Sequence, residues 1–247
     1  MSQKQKLSHE DIVADILESV PEEVAIKAKF PSKGLFYRPD NPSRPIEIRP
    51  MTFEDERGLA SLKDTKGVKS LDYLIAKCLV NVSPSQILEM DKLYILMKIR
   101  EISYGSDFKA EISCPDCGDS QFISIDISKL RIREVPEDLT DPREVHLPVC
   151  NKKASVIFPR AGDSSYLVNV EIAAANMWRF IEHINGCKDK KVISDVVDKL
   201  PLKDIHTLLD GIGQSQYGID TNFLYKCGCG CETEMEVPFD ESFFTTR

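Results

Sequence analysis

Cys114-Pro115-Asp116-Cys117-Gly118 and Cys227-Gly228-Cys229-Gly230-Cys231 are the two stretches on which the fold turns, and the chain reaches both in the same way. A Tyr-Gly pair, Tyr104-Gly105 and Tyr217-Gly218, precedes each first cysteine, with nine positions from Gly to Cys in both cases. Thirteen residues before each Tyr stands an aspartate, Asp91 and Asp204, placed like a helix N-cap before an apolar-rich run. The match runs over 24 positions without a gap, and the two stretches lie 113 residues apart. This pattern predicts an internal duplication, each copy ending in half of one metal site.

The flanks of the cysteines predict hairpins. Phe108, Ala110 and Ile112 alternate before Cys114, and Ile123, Ile125 and Ile127 alternate after Cys117. Phe223 and Tyr225 do the same before Cys227, as do Met235, Val237 and Phe239 after Cys231. Period-two alternation marks half-buried strands, so each cluster sits on a turn between two strands. Two such knuckles together close a tetrahedral zinc site, and four thiolates leave no open position, so one structural Zn2+ per chain is expected.

The second cluster offers x1 or x3 spacing in place of x2. Counting from the Tyr-Gly side makes Cys227 the counterpart of Cys114. Counting back from the outgoing strand favours Cys229, because Ile123 and Met235 each lie six residues beyond their cysteine. A wider Cys227 and Cys231 pair is also open to the chain, since Gly228 and Gly230 supply backbone freedom. The expected ligands are therefore Cys114, Cys117 and Cys227, with Cys231 and Cys229 competing for the fourth place. Hairpins that persist without any metal remain the plainer alternative.

Composition bounds the rest. The chain has 247 residues, 42% of them hydrophobic, enough for a core of one large or two small domains. A net charge of −8 argues against a general nucleic-acid surface, which needs a basic face. No apolar run approaches bilayer length, and the N-terminal MSQKQKLSHEDI lacks a signal-peptide core. Cys78, Cys150 and Cys187 stand apart from the clusters, a usage that suits a reducing compartment. The four histidines His9, His146, His183 and His206 are scattered, and no phosphate loop or nucleophile elbow is present, so no enzyme is predicted.

An α+β fold follows, with internally duplicated helix-plus-knuckle units joined through a shared zinc-ribbon-like site. Residues 1–26 form a flexible or partner-docking segment with a short amphipathic stretch at Ile12, Val13, Ile16, Leu17 and Val20. The first repeat spans 27–130, with Thr52 capping one helix and Asp91 capping another from Lys92 to Ser103. A charged linker with Pro136 and Pro142 occupies 131–143. The second repeat spans 144–240, with a long helix expected from Ser164 to Ile184, and 241–247 form a tail.

The order of Pro31-Ser32-Lys33-Gly34-Leu35-Phe36-Tyr37, Ile48-Arg49-Pro50-Met51-Thr52, the helix end Arg100-x-x-Ser103-Tyr104-Gly105 and Cys114-Pro115-x-Cys117-Gly118 resembles the T4-type bacteriophage baseplate hub assembly proteins of contractile tails. The likeness covers residues 28 to about 130 well and the second copy more loosely. It implies a non-enzymatic protein made in the host cytoplasm that helps to build the hub at the tail tip, with retention in the virion left open. Its partners would be other baseplate hub or tail proteins, with no nucleic acid, membrane or small-molecule substrate. Leu35, Phe36 and Tyr37 are the candidate contact surface, being anchors of the kind enriched at interfaces. Two other classes stand beside this one. They are a transient chaperone of the tape-measure protein, and a zinc-ribbon module for nucleic acid or the transcription machinery using Lys152, Lys153, Lys188, Lys190 and Lys191.

Overall fold

In the computed structural model, residues 8–18, 25–34, 46–62, 68–167, 169–213, 217–239 and 241–244 are described. The chain starts with α1 (His9–Glu18), the paired strands β1 (Ile26–Ala28) and β2 (Ile46–Ile48), then α2 (Phe53–Ser61) and α3 (Val68–Cys78). Next come α4 (Glu89–Tyr104), the hairpin β3 (Asp107–Ser113) and β4 (Ser120–Asp126), and the short β5 (Ile132–Arg133). A second hairpin, β6 (Arg143–Leu147) and β7 (Lys152–Val156), leads through a 3-10 segment to α5 (Val170–Asn176) and β8 (Ile181–Ile184). The chain ends with α6 (Lys190–Val197), α7 (Leu202–Ile212), β9 (Gly218–Ile219), the hairpin β10 (Asn222–Lys226) and β11 (Glu232–Glu236), and a 3-10 turn at Glu241–Phe244. Helices and small antiparallel sheets make the fold α+β. The sheets have two strands each, except for the three-stranded order β6-β7-β8.

The centre of the molecule is α4. Tyr94, Ile95, Leu96 and Met97 are all buried, and four successive residues, each turned about 100° from the last, cover most of a helix circumference. Such a helix is packed on several sides at once. Around it lies the larger core, with Ile48, Leu59, Leu74, Ile75, Phe108 and Ile127 from the first half of the chain. Tyr225, Cys227, Val237, Phe243 and Phe244, from the last twenty-five residues or so, belong to the same core. A smaller core joins Leu147, Val156, Phe180, Ile181, Ile193, Leu208 and Ile212 under the sheet β6-β7-β8. The chain therefore leaves the larger core, builds a smaller one, and returns to lay its last hairpin on the first.

Local signals explain where several elements begin. Thr52 caps α2 as expected, in a reciprocal box with Asp55, which also takes a 2.7 Å contact from Arg49 Nη1. The aspartates expected as caps behave differently. The cap of α4 is Leu88 and that of α7 is Pro201, so Asp91 and Asp204 are the third residues of their helices. Each helix starts a few residues earlier than its aspartate, which frees the carboxylate to reach outward from the first turn, where the helix dipole favours negative charge. Asp91 accepts the Ser32 N–H at 3.0 Å and the Ser32 hydroxyl. Asp204 accepts the N–H groups of Val149 and Cys150 at 2.8 and 3.0 Å. Both side chains are fully buried, and each clamps a distant turn, Asp91 the one that follows β1 and Asp204 the one between β6 and β7.

The helix expected from Ser164 to Ile184 is broken into a 3-10 segment, α5, a second 3-10 turn at Met177–Phe180 and β8. A 3-10 segment ends at Tyr166, Asn169 caps α5 through its side chain, and Ile181–Ile184 is a strand paired with β7 across a bulge at Ser155 and Val156. Of the apolar face expected from Leu167 to Trp178 and Ile181, the last residue is buried in the smaller core as part of this strand, together with Ile184. The stretch expected as a linker is tied down on both sides. Ile132 and Arg133 pair with Ile219 and Gly218, and Val135 is buried with its N–H on the Pro31 carbonyl at 2.9 Å. Among the described residues no helix is long and apolar enough to cross a membrane.

Candidate metal centre

The strand pleat delivers the first cysteine of each knuckle. Phe108, Ala110 and Ile112 face the core from β3, and Cys114 continues that face two residues on, 2% exposed. In the second hairpin Tyr225 and Cys227 share the buried face of β10 in the same way. The second cysteine of each pair comes from the turn itself, and both Cys117 and Cys229 are exposed.

The two turns close with the same bonds. Cys114 donates its N–H to the Asp119 carbonyl at 2.8 Å, and Gly118 donates to the Cys114 carbonyl at 3.0 Å. Cys227 donates to the Cys231 carbonyl at 2.9 Å, and Gly230 to the Cys227 carbonyl at 3.0 Å. Gly118 and Gly230 follow the second cysteine at φ 73° and 96°, a region that costs a residue with a side chain about 1–2 kcal/mol. No atom lies within 4 Å of where their Cβ would be, so backbone freedom and not space is the requirement. The difference is length. Six residues separate the paired Ser113 and Ser120, against five between Lys226 and Glu232. One residue fewer between the cysteines turns Cys-x2-Cys into Cys-x-Cys, so by position in the turn Cys227 stands where Cys114 does and Cys229 where Cys117 does.

The sulfurs of Cys114, Cys117, Cys227 and Cys229 all lie within 4.8 Å of one another. Cys231 is not one of these four; it takes the place of Asp119, offering its backbone carbonyl to the turn. Across the hairpins, Cys114 Sγ is 3.8 Å from Cys229 Sγ, and Cys117 Sγ is 3.7 Å from Cys227 Sγ. A tetrahedron with metal–sulfur bonds of about 2.3 Å has edges of about 3.8 Å, so the spacing and the all-thiol donor set fit zinc. The separations are far longer than a disulfide bond, and all eight cysteines are free. Electrostatics point the same way. The Cys117 N–H, with help from that of Asp116, holds the Cys114 thiol down at about 6. Cys117 accepts the Asp119 N–H, yet the sulfurs of Cys114 and Cys229 push it up to about 12. Thiols gathered this closely resist becoming thiolates together unless a cation offsets their charge.

Two residues that the cysteine pattern does not point to complete the site. Gln121 on β4 places its amide nitrogen 2.6 Å from Tyr225 Oη and 3.7 Å from Cys227 Sγ. The only trace in the sequence is a polar residue on the strand face that carries Ile123 and Ile125. Leu35, Phe36 and Tyr37 lie outside the described residues. The turn before them, Phe30 to Gly34, is held by the Ser32 contacts to Asp91. Arg100, a polar residue beside the Tyr-Gly turn, is structural in its contacts: it donates to the carbonyls of Gly105 and Asp107 at 3.3 Å and lies over the Tyr104 ring at 4.9 Å.

The fold and the site together define a small α+β protein whose two knuckle hairpins meet at four thiols. The sequence pattern of the family described as T4 bacteriophage base plate protein matches residues 23–245, and the chain belongs to that family. No curated protein and no solved structure matches it.

Proposed function

We propose that this baseplate protein serves at the hub of the phage tail as a non-enzymatic assembly or structural component, with one zinc ion as its internal fastener. In this reading Cys114, Cys117, Cys227 and Cys229 hold the ion and lock the last hairpin of the chain to the first. The observation that carries it is the convergence of four sulfurs, with Cys114 and Cys227 lying 113 residues apart in the chain, at close to tetrahedral spacing. A cross-link between such distant segments removes entropy from the unfolded chain and gives the loops a rigid base.

The duplication is part of the same reading. It is supported by the matched turn bonds of the two knuckles and by Asp91 and Asp204, each in a helix first turn and each clamping a β-turn. Contacts with other tail proteins are assigned to the Leu35-Phe36-Tyr37 stretch and to α1, where Ile12, Val13 and Leu17 are 46%, 42% and 57% exposed. The exposed stripe on α1 also favours the second reading, a chaperone that holds the tape-measure protein during assembly in the host cytoplasm. Presence of the protein in purified tails separates the two. A nucleic-acid role is disfavoured by the charge of −8.

The test is elemental analysis of the purified protein and of its Cys→Ser variants. One zinc per chain is expected in the wild type and in Cys231→Ser, with zinc lost in Cys114→Ser, Cys117→Ser, Cys227→Ser and Cys229→Ser. A folded wild type without metal would overturn the zinc reading. Phe36→Ala is expected to keep zinc and folding while weakening the capture of hub proteins, and a loss of folding would assign Phe36 to the core instead.

A further inference from the structure

Two separate hairpins must bring their thiols to one point, and an ion alone is a costly way to align them, because every ligand it has to order subtracts from its affinity. Gln121 spans the gap. It sits on β4 of the first hairpin, and its amide nitrogen reaches two groups of the second, Tyr225 Oη at 2.6 Å and Cys227 Sγ at 3.7 Å. An amide NH2 has two hydrogens and no acceptor capacity, so both contacts are donations. The opposite amide orientation would set a carbonyl oxygen against a sulfur that carries negative charge when metallated, so the nitrogen is the end assigned to Cys227. Tyr225 is 2% exposed and lies two residues before Cys227 on the same strand face, so the Gln121 amide holds both the sulfur and the residue that supports it.

We infer that Gln121 is a positioning residue of the metal centre, donating one hydrogen to the Cys227 sulfur and the other to Tyr225, and so setting the two hairpins in register for the ion. The inference rests on the zinc reading above. Ligands of this kind are commonly oriented by partners just outside the coordination sphere, whose loss costs about 10–100-fold in metal affinity. A hydrogen bond to a thiolate also lowers the energy of its lone pairs, so its removal moves thiolate-to-metal charge transfer to longer wavelength.

The experiment uses the full chain as wild type, Gln121→Met and Tyr225→Phe. Gln121→Met keeps the length and volume of the side chain and removes both donations, whereas Tyr225→Phe leaves the amide free to serve Cys227 and removes the tyrosine hydroxyl's own contact with that sulfur. Zinc affinity is measured by competition with a chromogenic chelator, the cobalt-substituted proteins give the charge-transfer band, and thermal unfolding is followed with and without metal. Gln121→Met is expected to bind zinc about 10–100-fold more weakly than wild type, with a red-shifted cobalt band and a larger loss of stability in the metal-bound protein than in the metal-free one. Tyr225→Phe is expected to fall between the two. Zinc affinity within twofold of wild type and an unshifted band in Gln121→Met would overturn the inference alone. An equal loss of stability with and without metal would overturn it as well, by making Gln121 a packing residue. A wild type that binds no zinc would overturn the inference together with the reading beneath it.

Discussion

The first knuckle spends six residues between its strands and the second five, yet both bring a buried and an exposed sulfur to the same place. What they share is the way in and the way out. A strand pleat sets the first cysteine on the core face, and a glycine with positive φ directly after the second cysteine turns the chain back. The number of residues between the cysteines is the variable part. A cysteine knuckle of this kind is better recognised by the pleat before it and the glycine after it than by a fixed Cys-x2-Cys count.

The largest expected effect breaks the link between the knuckles. If zinc binds at a thousandfold excess over its Kd, it adds about 4 kcal/mol of stability. A strong chelator, or Cys227→Ser, is then expected to lower Tm by about 10 °C in a chain of this size. Hydrogen exchange sharpens the comparison: β10 and β11 should lose protection on chelation while β6, β7 and β8, which pack in the other core, keep theirs.

The two cores offer the next comparison. Phe244 closes the larger core and Phe180 the smaller, with 0% and 2% exposure. Truncation of either to Ala is expected to cost about 3–5 kcal/mol in denaturant unfolding. Phe244→Ala should also speed zinc release, because it loosens the core on which both hairpins rest, whereas Phe180→Ala should leave zinc kinetics unchanged. Equal effects on zinc would mean that the two cores act as one.

The buried aspartates come third. Asp91→Asn removes charge-assisted bonds to Ser32 and is expected to cost about 1.5–3 kcal/mol, read as a shift in the denaturant midpoint. For Asp204, burial pushes the carboxyl up, but the N–H donations from Val149 and Cys150 outweigh it and hold the carboxyl below its ordinary value. A carboxyl depressed in the folded state contributes stability above its unfolded pKa of about 3.9 and loses it as pH falls through the folded value. Asp204→Asn should therefore flatten the loss of stability below about pH 4, measured as Tm against pH.

The smallest effects test the turns. Gly118→Ala and Gly230→Ala should each cost about 1–2 kcal/mol in denaturant unfolding, and by similar amounts, because each glycine answers the same backbone demand. A cost confined to one would show that the turns only look alike. Cys231→Ser should cost less than any of the other four substitutions of the clustered cysteines, since the residue gives the turn its backbone carbonyl and a serine hydroxyl can keep the thiol's contacts with Asp116 and Cys114.

Residues close in the chain made much of this legible in advance. The strands around both knuckles and the Thr52 cap follow from period and capping, which are set by neighbours within a few positions. The family, too, was readable from the order of short motifs between Pro31 and Gly118. Tertiary structure decided the rest. Only packing could free Asp91 and Asp204 from capping and aim them at distant turns, because the start of each helix depends on what its first turn meets. Only sheet pairing could claim Ile181–Ile184 for a strand, since its apolar spacing suits a helix as well. The fourth member of the thiol cluster and the bridge through Gln121 depend on where two hairpins meet across 113 residues of chain, and a local pattern carries no record of that distance.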